Sequence, residues 1–183
     1  MGKIFNYDSK FFAGMTKVSD TIIINILFVI CSIPIVTIGA SITALYSVSM
    51  KITRDEEIYA AKEFIKQFKQ NFKQSTIIWI ILLVIGLFIG LDFYLCSLMS
   101  DNTISMIFKF IFTIVSVVLA FILIYVFPLT ARFENSIKNT LTNSIFMSIQ
   151  HLPYTLVMSV LAFAPIVSFI LFSQYWGQIV FFN

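Results

Sequence analysis

The chain has 183 residues, of which 59% are hydrophobic and 11% are charged, and its formal net charge is +3. With a mean hydropathy of +0.96 and 21 Phe, it has too few charged residues to cover a soluble domain of this size. Its lysines flank apolar segments, so the positive charge does not indicate nucleic-acid binding. Three stretches without a charged residue, 75–91, 110–131 and 152–183, are long enough to cross most or all of a hydrocarbon core of about 30 Å.

These stretches predict an all-α, polytopic helical membrane protein that forms a single membrane domain over residues 1–183. We expect a bundle of about four to six membrane helices with two amphipathic helices at the cytoplasmic interface. Residues 1–19 carry lysines with aromatic side chains between them, which is typical of a juxtamembrane segment.

The first membrane element, 20–50, is longer than one straight span needs, and Pro34 and Gly39 interrupt it. Basic residues lie on both sides of it, so a single crossing would leave three lysines on the wrong side of the membrane. A helical hairpin, or a broken re-entrant helix, keeps eleven of the twelve Lys and Arg in the cytoplasm, with Lys109 outside. We favour this hairpin over the single span, although each half is short for a full crossing.

Small residues follow the break in two neighbouring rows, Gly39-Thr43-Ser47 and Ala40-Ala44. Rows of small residues four apart let membrane helices approach closely. We therefore expect Gly39, Ala40, Thr43 and Ala44 to form a helix-packing face.

The next predicted element is an amphipathic interfacial helix over 54–74, and Thr53 with Glu56 predicts a capping box at its start. One face of this helix is apolar and bulky, and the opposite face is basic: Phe64, Ile65, Phe68 and Phe72 against Lys62, Lys66, Lys69 and Lys73. The lysines place the helix at the cytoplasmic interface, where they contact either anionic lipid headgroups or a partner. The flanking side-chain amides Gln67, Gln70 and Gln74 favour a partner.

Two spans are predicted next, over 75–98 and 107–128, with Pro128 ending the second. Gly86 and Gly90 form a GxxxG pair in the first, which favours packing within the monomer over a dimer seam. Asp92 lies near the outer end of the first span, so we interpret it as part of a solvated rim rather than an intramembrane site.

A second amphipathic interfacial helix is predicted over 133–150, where apolar residues recur every four positions: Phe133, Ile137, Leu141, Ile145 and Ile149. Arg132 precedes it and is a candidate contact for a lipid phosphate or for another inner helix. A further span, 152–173, leads outward. Residues 174–183 are either its outer end, with an aromatic belt at Tyr175 and Trp176, or the start of a truncated last helix.

No pattern of catalytic or metal-ligating residues emerges from the sequence. His151 is the only histidine, and Cys31 and Cys96 both lie in apolar stretches, where a buried small hydrophobe is the expected role. There is no nucleophile–base motif and no glycine-rich phosphate loop. We therefore predict that the protein is not an enzyme and uses no cofactor or metal ion.

Four blocks resemble, in order, the YesL-type family of small bacterial integral membrane proteins, a domain-of-unknown-function family: SIPIVTIGASITALY, EFIKQFKQNFKQSTIIWIILL, VFPLTARFENSIKNTLTNSI and HLPYTL. The resemblance covers residues 20–156. It implies a multi-pass protein of the bacterial plasma membrane, often associated with carbohydrate uptake and glycan degradation, and it implies no catalytic residues. Members usually continue into a further terminal helix, whereas this chain stops at Asn183.

Two functions are open at this point. The first is a non-enzymatic accessory to carbohydrate uptake that docks an ABC-type sugar permease, or another membrane partner, through its cytoplasmic amphipathic helices. The alternative is a small-solute transporter or permease component, favoured by the broken segment at 34–39 and by Asn25 as a buried polar residue. We also expect contacts with anionic headgroups, and the sequence leaves a homo-oligomer open.

Overall fold

The computed structural model describes residues 5–98 and 103–181, and all of its regular structure in these ranges is helical. Side chains of residues 5–13, and most of those after residue 162, lie outside this description, as does Asp101. The elements in chain order are α1 (Phe5–Cys31), a 3₁₀ turn (Ile35–Thr37), α2 (Ile38–Thr53), α3 (Ala60–Leu98), α4 (Thr103–Arg132), α5 (Ile137–Gln150) and α6 (Leu152–Phe181).

The prediction of an all-α membrane protein is confirmed. Four helical segments among the described residues are long and apolar enough to cross a membrane: 14–31, 35–53, 60–98 and 103–132. A fifth candidate is the pair formed by α5 and the first part of α6, which are bent by 102° at His151.

The chain reverses direction between α1 and α2. Pro34 interrupts the helix because it has no N–H to donate, and the Thr37 hydroxyl lies 2.6 Å from the Cys31 carbonyl oxygen at the end of α1. The Lys17 Nζ, in the middle of α1, lies 2.5 Å from a carboxylate oxygen of Asp55, just beyond the end of α2. The two helices therefore run antiparallel, as a hairpin with an apolar tip at 32–37.

The hairpin packs on the first half of α3 through the small residues of α2. At Gly39, an added Cβ would lie 2.5 Å from the Trp79 Cβ and 2.6 Å from the Ser75 carbonyl oxygen, so only glycine permits this approach. The Ser75 hydroxyl donates to the Thr43 hydroxyl at 2.9 Å. Gly39, Ala40, Thr43 and Ala44 are all buried.

The predicted start of the interfacial helix at residue 54, with a capping box at Thr53, is wrong. Thr53 is the last residue of α2, and its hydroxyl donates to the Ser49 carbonyl. Asp55 has a φ of 60°, and α3 begins only at Ala60. The cause is a tertiary contact, because Ile52 is buried in the core and its packing extends α2 beyond the local cap signal.

From Ala60, α3 runs unbroken to Leu98, so the predicted interfacial and spanning segments form one helix.

α3 and α4 form a long antiparallel pair. Ring contacts join Trp79 to Phe127 at 6.2 Å and Phe93 to Phe112 at 6.1 Å between centroids. A Cβ at Gly86 would make an ordinary contact with Leu119 at 3.7 Å, whereas a Cβ at Gly90 would meet nothing within 4 Å. The predicted packing role is therefore wrong for Gly90, because this face of α3 is uncovered.

α4 does not end at Pro128 as predicted but continues to Arg132. Pro128 cannot donate a backbone hydrogen bond, yet the turn beyond it is held by other donors. The Thr130 hydroxyl donates to the Val126 carbonyl at 2.7 Å, and the Phe133 amide donates to the Leu129 carbonyl at 2.9 Å.

α5 begins at Ile137 after an N-cap at Ser136, so the predicted start at residue 133 is wrong. The buried residues of this helix are Thr140, Ser144 and Ser148. Of the predicted apolar row, Ile137 and Leu141 pack on the α3–α4 core, whereas three members are exposed: Phe133, Ile145 and Ile149. Hydroxyl groups can face inward because each bonds a carbonyl of its own helix, which leaves the aliphatic side chains for lipid.

Candidate functional site

The first part of α3, residues 60–74, has three faces. The Lys62, Lys66, Lys69 and Lys73 side chains are all exposed. Phe64 is fully buried in the cluster that joins α3 to the hairpin, and Phe68 packs against that cluster. The third face carries a carboxylate and four amides: Glu63, Gln67, Gln70, Asn71 and Gln74. This third face forms the candidate site.

Glu63 lies at one end of this face. Its Oε1 accepts hydrogen bonds from the Lys51 Nζ at 2.5 Å and from the Gln67 Nε2 at 2.9 Å, and the Lys66 Nζ is 3.9 Å from its other oxygen. The hydrogen bond from Lys51, followed by that from Gln67, lowers the pKa of the Glu63 carboxyl below its ordinary value, against partial desolvation. Glu63 is therefore ionised and connects α3 to α2.

The amides continue along the helix toward α5. The Asn71 Nδ2 donates to the Gln67 carbonyl at 3.1 Å. The Gln74 Nε2 donates to the Asn135 carbonyl at 2.7 Å and lies 3.5 Å from the Thr140 hydroxyl. Gln74 thereby ties the loop between α4 and α5 to α3.

A cavity of about 670 Å³ opens between this amide face and the end of α4 with its following loop. Its lining from α3 is formed by side chains with both donors and acceptors, Gln67, Gln70, Asn71 and Gln74, and from the other side by residues 130–135. Arg132 lies in this wall with its guanidinium carbon 5.4 Å from the centre of the Phe133 ring, and Glu134 adds one carboxylate. We call this the amide cavity.

Two further cavities adjoin the same end of the molecule. One, of about 320 Å³, lies between the α4–α5 loop and α5 and shares Phe133 and Asn135 with the amide cavity. The other, of about 520 Å³, is lined by the Lys17–Asp55 pair and by the acidic turn before α3. The loop at 133–136 is thus a wall between two cavities.

The predicted contact residues are only partly brought together. Arg132 lines the amide cavity, whereas the four lysines lie on the neighbouring face of α3 and do not line it. Asn71, Asn135 and the Lys51–Glu63 pair were not predicted as site residues. The signal for Asn71 is visible in the sequence, because positions 67, 71 and 74 share a helix face. No sequence signal pairs residue 74 with residue 135.

The surroundings of Asn25 differ from the predicted ones. Asn25 is exposed and donates to the Thr21 carbonyl at 2.7 Å, so the prediction that it is a buried polar residue is wrong. Within residues 5–98 and 103–181, no group of three or more His, Cys, Asp or Glu side chains is arranged to hold a metal ion.

Part of the chain matches a known protein family. The model of the family described as "Protein of unknown function, DUF624" matches residues 21–93, which include most of the hairpin and nearly all of α3. Over this segment the match confirms the resemblance to YesL-type proteins. Searches of curated proteins and of solved structures gave no significant match.

Proposed function

We propose that this chain, whose residues 21–93 match the DUF624 family model, is a non-enzymatic membrane protein that docks a partner at the amide cavity. The observation that carries the proposal is the combination of four side-chain amides, Arg132 and Glu134 around one open cavity. Such a lining offers directional hydrogen bonds to a polar protein segment, which anionic lipid headgroups do not require.

The exposed lysines support the same proposal. They run along α3 beside the cavity, so they extend its polar surface and would steer a partner of opposite charge toward it. We further propose, from the family resemblance alone, that the partner belongs to a bacterial carbohydrate-uptake system and that this surface faces the cytoplasm of a plasma-membrane protein.

The test is co-purification from native membranes in mild detergent, followed by identification of the retained proteins. The variant pair Gln70→Ala and Arg132→Gln removes polar groups from the cavity, and Leu87→Ala on the exposed apolar part of α3 is the matched control. We expect the cavity variants to lose a protein that both the wild type and the control retain. Equal retention by all variants would exclude docking at this cavity.

The identity of the retained protein tests the carbohydrate part of the proposal. A permease subunit of a sugar-uptake system supports it, and a partner from an unrelated system overturns it while leaving the docking site intact. The transporter alternative makes a separate prediction, namely solute flux through the purified protein alone in proteoliposomes.

A further inference from the structure

The depth of the α1–α2 hairpin can be read from its contacts along α3. At its open end, Lys51 pairs with Glu63. At its tip, the Trp79 indole N–H donates to the Ile35 carbonyl at 2.8 Å, and Gly39 packs against Trp79. The hairpin therefore lies beside the first half of α3 and ends level with Trp79.

The part of α3 beyond the lysines is long enough to cross a membrane, and the hairpin lies beside only its start. From Lys73 to Leu98 the helix rises about 38 Å at 1.5 Å per residue, more than the ~30 Å of a hydrocarbon core. The first half carries the four exposed lysines, and the last of them, Lys73, is about 9 Å from Trp79 along the axis. A hairpin that crossed the whole bilayer would place this lysine row in hydrocarbon, where each charge is costly.

An apolar row lies on the side of α1 away from α3 and continues to Ile33, just beyond the end of that helix. Ile22, Ile26, Ile30 and Ile33 are exposed by 55%, 54%, 54% and 76%, whereas Ile24 is buried against the cluster that contains Phe64. The tip residues Ile35 and Val36 are exposed as well. At 1.5 Å per residue the isoleucine row lies about 0–17 Å from the tip and the lysine row about 9–26 Å, so Ile30 and Ile33 lie deeper than every lysine. This arrangement suits a leaflet in which the lysines lie at the headgroups and the tip lies among the acyl chains.

We propose that the α1–α2 hairpin is a re-entrant insert that ends inside the leaflet nearest the lysines, with Ile30, Ile33 and the tip covered by the acyl chains of that leaflet. With Lys73 at the headgroup surface, the tip, level with Trp79, lies about 9 Å deep and so ends short of the bilayer midplane at about 15 Å. α3 and α4 then complete the crossing beyond the tip. This proposal rests on the membrane class of the protein and not on docking at the amide cavity.

The test is the depth of single spin labels in proteoliposomes of a Cys31→Ala, Cys96→Ala background. Labels at 22, 26, 30 and 33 are compared for collision with oxygen, which concentrates in the bilayer, and with a water-soluble nickel chelate. We expect the ratio of the oxygen collision rate to the nickel-chelate collision rate to rise from each label to the next along 22, 26, 30 and 33. The ratio should be several-fold higher at 33 than at 22. Val29, which is exposed by 63%, replaces position 30 if that variant fails to fold.

A matched control row lies on α3 at the exposed positions Ile77, Val84, Leu91 and Leu95. Because this part of α3 crosses the bilayer, the ratio of collision rates for labels along this row should rise to a maximum near position 84 and then fall. The same rise and fall along the hairpin row, with the maximum near 26, would show a full crossing and overturn the proposal. Low collision with both reagents at all four hairpin positions would show that protein, such as a second copy, covers the row instead of lipid.

Discussion

Gly39 and Gly90 look alike in the sequence, since each lies in a row of small residues within an apolar helix. The structure separates them, because a Cβ at Gly39 would overlap Trp79 and the backbone of α3, whereas a Cβ at Gly90 would meet nothing. Sequence spacing identifies a face that allows close approach, but it does not say which helix, if any, uses that face.

Substitution by alanine should reveal this difference. We expect Gly39→Ala to lower the free energy of unfolding in detergent by about 1–3 kcal/mol, the usual cost of overpacking a tight contact. Gly90→Ala should be neutral or stabilising by about 0.5–1 kcal/mol, because alanine is the better helix former. Gly86→Ala, with an ordinary contact at 3.7 Å, is the intermediate control. Equal thermal unfolding midpoints for Gly39→Ala and Gly90→Ala would contradict the α2–α3 contact.

Glu63 should make stability depend on pH. Its carboxyl has a pKa below the ordinary 4.5 when folded, so its contribution is fully present above 4.5 and is lost as the pH falls through the lower folded value. We expect the stability advantage of the wild type over Glu63→Gln at pH 7 to shrink on acidification below pH 4.5. Thermal unfolding across this range measures it, with the exposed Glu57→Gln as control. An advantage that stays constant down to pH 3 would show that the charge of Glu63 is not responsible.

At the scale of single helices, the lysine row of α3 can act in two distinguishable ways. If the row contacts a docked partner, geometry matters, and one or two of Lys62, Lys66, Lys69 and Lys73 should dominate binding. At those positions Lys→Arg should also weaken co-purification of the partner. A smooth, additive loss across the four single Lys→Gln variants, with Arg fully tolerated, would instead identify a lipid anchor, in which each lysine contributes about 1 kcal/mol near an anionic surface.

The buried side of α5 carries hydroxyl groups, at Thr140, Ser144 and Ser148. Ser144 is fully buried, and its hydroxyl donates to the Thr140 carbonyl at 2.6 Å, so it leaves no room for a larger side chain. We expect Ser144→Leu to lower the free energy of unfolding by about 1–3 kcal/mol through overpacking. Phe146→Leu, on the exposed side of the same helix, should have little effect. Comparable losses for both variants would mean that α5 is turned the other way.

Several elements could be predicted from the sequence because their signals are strong and local. The uncharged runs fix the membrane class, and Pro34 marks the break between α1 and α2. Two local signals failed where other contacts opposed them. Ile52 extends α2 past the cap signal at Thr53, and donors beyond Pro128 extend α4. The amide cavity required a contact between residues 74 and 135, which no local pattern contains.

For the whole molecule, sidedness follows from the distribution of Lys and Arg. We expect the polar end, with the amide cavity, to face the cytoplasm and Asp101, between α3 and α4, to face out. Single cysteines at positions 70 and 101, in a background lacking Cys31 and Cys96, test this with a membrane-impermeant reagent. Position 101 should react in intact cells and position 70 only after permeabilisation. Reaction of position 70 in intact cells, and of position 101 only after permeabilisation, would show the opposite topology.

The unbroken course of α3 joins both ends of the molecule mechanically. It runs through 39 residues without a proline, from the amide cavity to the opposite side of the proposed bilayer. A helix of this kind moves as one rigid element, so a tilt at one end also displaces the other end. A partner that tilted the cavity end by about 10° around the contact at Trp79 would displace the far end, about 28 Å away, by roughly 5 Å. A movement at the amide cavity could thereby displace the far end of α3 without any hinge in this helix.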